Sequence, residues 1–235
     1  MSASADVLRT SDLVEAVNEE IKTPQPKVDR RIGYWNPDDF ACEQIRGLVR
    51  RVFFLSGNRP VKQVVFSPAE SHIDVSYICT QVAQALALET RSRVVLVDRE
   101  ESVTDITSSR PRSTIASIQS RSTQMAVNLW RVPRSKLGEC SKDSGMGIYW
   151  LSCLAELRNE FEYAVIQGLA AGTSSEAALL GQLTDGIILV LGANRTRRAT
   201  ALKIKESLEG TQSRILGTVL SERTFPIPER IYRHL

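Results

Sequence analysis

Ser67-Pro68-Ala69-Glu70-Ser71-His72-Ile73-Asp74-Val75-Ser76 joins the short apolar run Val64-Val65-Phe66 to a stretch with helical periodicity. A loop that leaves the C-terminal end of a parallel strand and enters a helix brings backbone N–H groups and a helix dipole together on an anion, so phosphate binding is the chemistry to test for. That chemistry calls for glycines, which let the chain approach with no Cβ in the way, and for a lysine on the phosphate oxygens. The loop contains neither. It offers two carboxylates, Glu70 and Asp74, and the hydroxyls of Ser67, Ser71 and Ser76. Asp74 stands where it could accept the orphan N–H groups of the helix and meet the positive end of its dipole, so the protein would supply its own anion. Asp98, closing the next apolar run, could bind Mg or could be a capping or salt-bridging surface aspartate beside Arg99.

The elements that must position these groups are legible from periodicity. Val64 to Phe66 suits a strand buried on both faces, and Val75, Ile78, Cys79, Val82 and Leu86 recur at three- and four-residue steps. Arg93-Val94-Val95-Leu96-Val97-Asp98 completes a strand, helix, strand unit. Further strands are predicted near residues 127–132, 163–167, 186–191 and 215–220, with helices over 148–161, from Ser174 or Ser175, and from Asn194 to about Leu208. Residues 99–124 and 134–147 read as polar loop, with one helical turn near Ile115 to Ile118. The expected fold class is α/β: a doubly wound, mostly parallel central sheet with helices on both faces.

The stretch Val61 to Glu100 resembles the bacterial tyrosine kinases of capsule and exopolysaccharide assembly, relatives of the Min and Par ATPases, whose loop ends Gly-Lys-Ser/Thr. Tyr163-Ala164-Val165-Ile166-Gln167, Thr184-Asp185-Gly186-Ile187-Ile188-Leu189-Val190 and Gly217-Thr218-Val219-Leu220-Ser221 resemble later strands of that family, so the likeness runs from about Asp39 to Pro228. The resemblance implies a P-loop NTPase-like fold. It places Asp74 on the family's last glycine, Val75 on its lysine, Ser76 on its Mg-binding hydroxyl, Asp98 on an acidic position, Gln167 on an aspartate and Ser221 on the asparagine near the adenine. A neutral amide is a poor Mg partner, so Asp98 and Gln167 count as remnants of a Mg site. Four requirements of the chemistry fail together, at Asp74, Val75, Gln167 and Ser221, which implies a fold kept without its catalysis. The family's ring-forming Glu-x-x-Arg-x-x-Arg pattern is matched at Glu43 and Arg46, but Val49 takes the third place and Arg50 falls about 100° further round the helix. The family's tyrosine-rich tail is represented by Tyr232 alone.

The 235 residues can bury a full core, and 42% hydrophobic with 24% charged residues describes an ordinary globular protein. A formal charge of +3 lacks the concentrated positive field of a nucleic-acid binder, so no nucleic-acid partner is expected. The four cysteines lack C-x-x-C spacing and the two histidines are isolated, which predicts reduced thiols and no metal site. No secretory signal and no run of about 20 apolar residues is present, so the expected location is cytoplasmic, with any membrane recruitment coming from a partner. Residues 1–37 read as an N-terminal helix (Leu13 to Ile21) and a linker, and 38–235 as the folded domain with a leading helix to about Leu55. The function expected is protein contact in exopolysaccharide export. The partner would be a membrane-bound chain-length or export component or an active homologue, self-association is open, and no cofactor is expected. The alternative is an atypical but active tyrosine kinase or Min/Par-type ATPase, which would require ATP and Mg.

Overall fold

The computed structural model describes residues 37–55, 59–99, 117–137 and 145–222. The expectations for the helix from Leu13 to Ile21, for Cys140 and for Tyr232 lie outside them.

Among the described residues seven strands form one sheet: β1 (Gln63–Pro68), β2 (Val94–Asp98), β3 (Thr123–Ala126), β4 (Leu129–Pro133), β5 (Tyr163–Gln167), β6 (Gly186–Gly192) and β7 (Ile215–Ser221), in the order β3-β4-β2-β5-β1-β6-β7. All neighbouring pairs are parallel except β3 with β4. The strand β3 falls where the sequence predicts loop. Thr123-Gln124-Met125-Ala126 is exposed throughout, so neither apolar alternation nor a buried run marks it. The inner strands β1 and β2 are buried at every position, which is why they read as continuous Val/Ile/Phe runs.

The helices are α1 (Pro37–Val49), continued by a π-helical turn over Arg50–Phe54, α2 (Ser76–Thr90), α3 (Ile118–Arg121), α4 (Met146–Glu160), α5 (Ser175–Leu183) and α6 (Arg198–Gly210). Helix α2 lays Ile78, Cys79, Val82, Ala83, Leu86 and Ala87 on the sheet and ends on Arg91 in the left-handed conformation, φ 55°. In α4 the inward face is Trp150, Cys153, Leu154 and Leu157, while Leu151 is 54% exposed. The large indole at 150 takes the interior and turns the helix by one residue. Helix α6 starts at Arg198 rather than Asn194, because Arg195 and Thr196 both donate their N–H groups to the Gly192 carbonyl in a turn, with Asn194 at φ 61°.

A polar clamp fixes the strand entrances. Asp185 Oδ2 accepts from the N–H groups of Lys62 (2.8 Å) and Gln63 (2.7 Å), and Asp185 Oδ1 accepts from Arg158 Nη2 at 2.9 Å. The Arg158 Nε donates to Gln63 Oε1 (2.8 Å), and Gln63 Nε2 donates to the Leu154 carbonyl (2.9 Å). One carboxylate and one buried amide thereby tie β1, α4 and the start of β6 together.

Candidate functional site

The C-terminal ends of the parallel strands bring the loop after β1, the end of β2 and the end of β5 to one edge of the sheet, where α/β proteins bind ligands. The loop is held from beneath: the Ala69 N–H donates to the Val190 carbonyl at 2.8 Å, the Ile73 N–H to the Glu70 carbonyl at 3.1 Å, and Ala69, Ile73 and Val75 are buried. Val75, which the resemblance sets against the family's lysine, is 2% exposed and belongs to the hydrophobic core.

Around it the polar groups satisfy one another. The Ser76 N–H donates to Asp74 Oδ1 at 2.8 Å, and that backbone bond, joined by the Ser76 hydroxyl and by the charge of Arg99, holds the Asp74 carboxyl below its ordinary pKa. Asp74 reaches only this first N–H of the helix, because Val75 rather than Asp74 occupies the capping position. Gln167, buried in the β5 exit, donates from Nε2 to Ser76 Oγ at 3.0 Å and accepts the Arg99 N–H on Oε1 at 3.2 Å. The chain of contacts is therefore Arg99 to Gln167 to Ser76 to Asp74, with Gln167 on the Ser76 hydroxyl and Asp74 on its N–H.

The other expected site residues are placed apart from this chain. Ser67 is fully buried and its hydroxyl donates to the Leu169 carbonyl. Glu70 accepts from the hydroxyl of Thr196 at 3.1 Å, the same hydroxyl that accepts the Gly192 N–H. Asp98 is buried and salt-bridged, but to Arg131 of β4 rather than to Arg99: Arg131 Nε donates to Asp98 Oδ2 at 2.7 Å and Nη2 donates to the same oxygen. Ser221 ends β7 and accepts the Ala193 N–H on its carbonyl at 2.8 Å. On α1, Glu43 and Arg46 pair with each other at 2.9 Å, both exposed, and Val49 is fully buried.

A cleft of about 210 Å³ lies above the loop, walled by Ser71, His72, Asp74, Ser76, Arg99 and Gln167. Glu70, Asp98 and Ser221 do not line it. Its volume is below the roughly 300 to 1,000 Å³ usual for pockets that enclose a small-molecule ligand. Among the described residues no group of three or more His, Cys, Asp and Glu could hold a metal ion, and no helix is long and apolar enough to cross a membrane.

Sequence reasoning missed Arg131, whose one signal is a lone cation in an otherwise apolar run. It also missed Arg134 and Glu176: Arg134 donates to Glu176 Oε2 and lies over the Trp150 ring, 4.8 Å from its centroid. Glu176 is buried on the first turn of α5, beyond β5, so the pair braces the far side of the same edge.

A doubly wound sheet of this order with a strand-to-helix loop at its centre is the fold of the Min/ParA class of P-loop proteins. MinD of Aquifex aeolicus superposes with a TM-score of 0.52 and 13% identity, covering 74% of this chain and 73% of that one. The chimerical protein CapA2B2 (TM-score 0.59, 17% identity, 76% of this chain and 83% of that one) and the kinase domain of the Escherichia coli tyrosine kinase ETK (0.58, 11%, 80% and 79%) match as well. In sequence, 74 residues are 32% identical to the tyrosine-protein kinase CpsD of Streptococcus agalactiae serotype III (strain NEM316), covering 32% of each protein. The likeness in sequence is confined to that segment, and the chain spans about a third of the length of the curated relatives it matches. No protein-family model matches.

Proposed function

We propose that the protein is a non-catalytic relative of the bacterial tyrosine kinases that acts by contact in capsule or exopolysaccharide assembly, from the cytoplasmic side of the membrane. The observation that carries the reading is the engagement of Ser76 by Gln167 at its hydroxyl and by Asp74 at its N–H, beneath a core-buried Val75. A triphosphate entering the cleft would compete with Asp74 for the Ser76 N–H and meet its charge, with no lysine to offset the repulsion. A Mg ion would find an amide at Gln167 and an Asp98 carboxylate already held by Arg131. ATP and Mg do not fit this residue set, and no catalytic step is assigned to it. The likeness to the kinases supports a partner in polysaccharide export, either a membrane-bound chain-length component or an active homologue.

The test is titration with Mg-ATP at millimolar concentration. A Kd near 10 µM would raise stability by about 2.7 kcal/mol at 1 mM ligand, moving the melting temperature by roughly 5 to 10 °C. The expected result is no heat of binding, no shift and no phosphate release. A shift of that size would instead favour an atypical, active ATPase or kinase. Recovery of a polysaccharide export component in a pull-down from the native cells supports the contact role, and its absence from repeated pull-downs counts against it.

A further inference from the structure

The outward side of α2 differs from those of α1 and α6. Helix α1 exposes Glu43 and Arg46, and α6 exposes Lys203, Lys205 and Glu206. Helix α2 has one charged residue, Glu89, and it pairs with Arg50 at 3.4 Å. The outward stripe of α2 is Tyr77, Gln81, Gln84 and Leu88, whose four- and three-residue steps keep them within about 60° of one another around the helix. Tyr77 is 67% and Leu88 78% exposed, and neither glutamine amide is hydrogen-bonded among the described residues. Depletion of charge around an exposed aromatic ring is the composition of an interface centre rather than of a solvated helix face.

The stripe reads alike from both ends, with opposite charges at its limits. Tyr77 and Leu88 are equidistant from the point between Val82 and Ala83, as are Gln81 and Gln84, and so are the exposed Asp74 and Arg91 that flank the helix. A twofold axis demands this kind of pairing: where residue i meets residue j of the other copy, j meets i. Two copies of α2 laid antiparallel about that point set each Tyr77 on the other's Leu88, each Gln81 against Gln84, and each Asp74 carboxylate toward Arg91. A glutamine amide both donates and accepts, so the four at the axis can satisfy one another as the face loses water. Parallel pairing would instead set Asp74 against Asp74 and Arg91 against Arg91, which like-charge repulsion disfavours.

We infer that the outer face of α2 is an interaction surface whose partner is a second copy of this chain, docked antiparallel about the midpoint of the stripe. One helix face is smaller than the roughly 800 Å² per partner of a standard interface, so the dimer is weak and reversible and forms at high protein concentration. The inference does not depend on whether the cleft takes ATP.

Sedimentation velocity of the full chain from about 10 µM to about 1 mM should show monomer passing to dimer. Gln81→Glu with Gln84→Glu gathers four carboxylates at the axis and should weaken the dimer at least about tenfold, while Gln81→Glu with Gln84→Lys gives each new acid an opposite charge in the other copy and should keep it. Melting temperatures of both variants, taken at low concentration, check that each keeps its fold. Disulfide trapping tests the register, in chains with Cys42 and Cys140 changed to Ser. Packed helices about 8 to 10 Å apart bring opposed Cα atoms to about 4 to 6 Å, within the span of a disulfide, whereas Tyr77 and its symmetry mate lie about 16 Å apart along the helix. A mixture of Tyr77→Cys and Leu88→Cys chains is therefore expected to link one to the other under mild oxidation, and neither to itself. A parent that stays monomeric throughout that range, equal association of the two glutamine variants, self-linking of the Tyr77→Cys chain, or failure of the mixed chains to link would each overturn the inference.

Discussion

Gln167→Asp puts at the β5 exit the carboxylate that the resemblance to the kinases implies there, and its effect follows from the polar chain around Ser76. The change removes the 3.0 Å donation from Gln167 Nε2 to Ser76 Oγ, at a cost of about 1 kcal/mol. It also brings a second negative charge toward Asp74. A separation of about 6 Å at an effective dielectric of about 20 gives a repulsion of roughly 3 kcal/mol, which Arg99 and solvent reduce. The sum is a loss of about 2 to 3 kcal/mol at pH 8, or a fall in melting temperature of roughly 5 to 10 °C. Burial and Asp74 both raise the pKa of the new carboxyl in the folded state. The charge penalty is therefore absent below the unfolded value near 3.9, grows as pH rises through it, and levels off above the raised folded value. Below about pH 4 only the lost hydrogen bond should remain, about 1 kcal/mol. Urea denaturation of both proteins between pH 3.5 and 8, with and without 10 mM Mg, measures this. A difference that does not change with pH would refute the charge argument, and a variant that Mg restores to the stability of the parent would show that this edge can hold a metal ion.

Asp74→Ala should cost at most about 1 kcal/mol above the ordinary carboxylate range, because the group is exposed, and the difference should fade as pH drops through the lowered folded pKa of Asp74; pH-resolved thermal melts check the sign. Asp185→Ala leaves the Lys62 and Gln63 N–H groups without their acceptor and releases Arg158, an expected loss of about 2 to 4 kcal/mol by urea denaturation, where a loss below about 0.5 kcal/mol would contradict the clamp. Gly186→Ala sets a Cβ 2.5 Å from Leu216 Cγ and 2.8 Å from the Arg214 carbonyl at φ 157°, so soluble yield and melting temperature should both fall, by more than about 2 kcal/mol in stability.

The frame of this fold is open to reading because each inner strand is a local apolar run: Val64 to Phe66, Val94 to Val97 and Ile187 to Val190 carry their burial in their own composition. What failed to read was either weakly encoded or long-range. Thr123 to Ala126 becomes a strand only because β4 offers it an edge. The start of α6 was obscured by Asn194 and Thr196, both good capping residues, of which Thr196 spends its hydroxyl on Gly192 and Glu70. In the site, the glycine- and lysine-free loop could be seen at once, but the ties from Gln167 to Ser76 and from Arg131 to Asp98 could not. Each joins residues of separate elements, and the sheet order alone sets β4 beside β2 and β5 beside β1.

The clamp built on Asp185 has a consequence for how such a protein can change over generations. Its hydrogen bonds lie at the entrances of β1 and β6, whereas the loop from Ala69 to Val75 lies at the exits. Substitutions in the loop therefore draw little on the interactions that fix the strands, and a lineage can lose a glycine or a lysine there without losing its shape. Selection can act on the two ends of one strand separately: on the entrance for the bonds that hold the fold, and on the exit for whatever the loop has to meet.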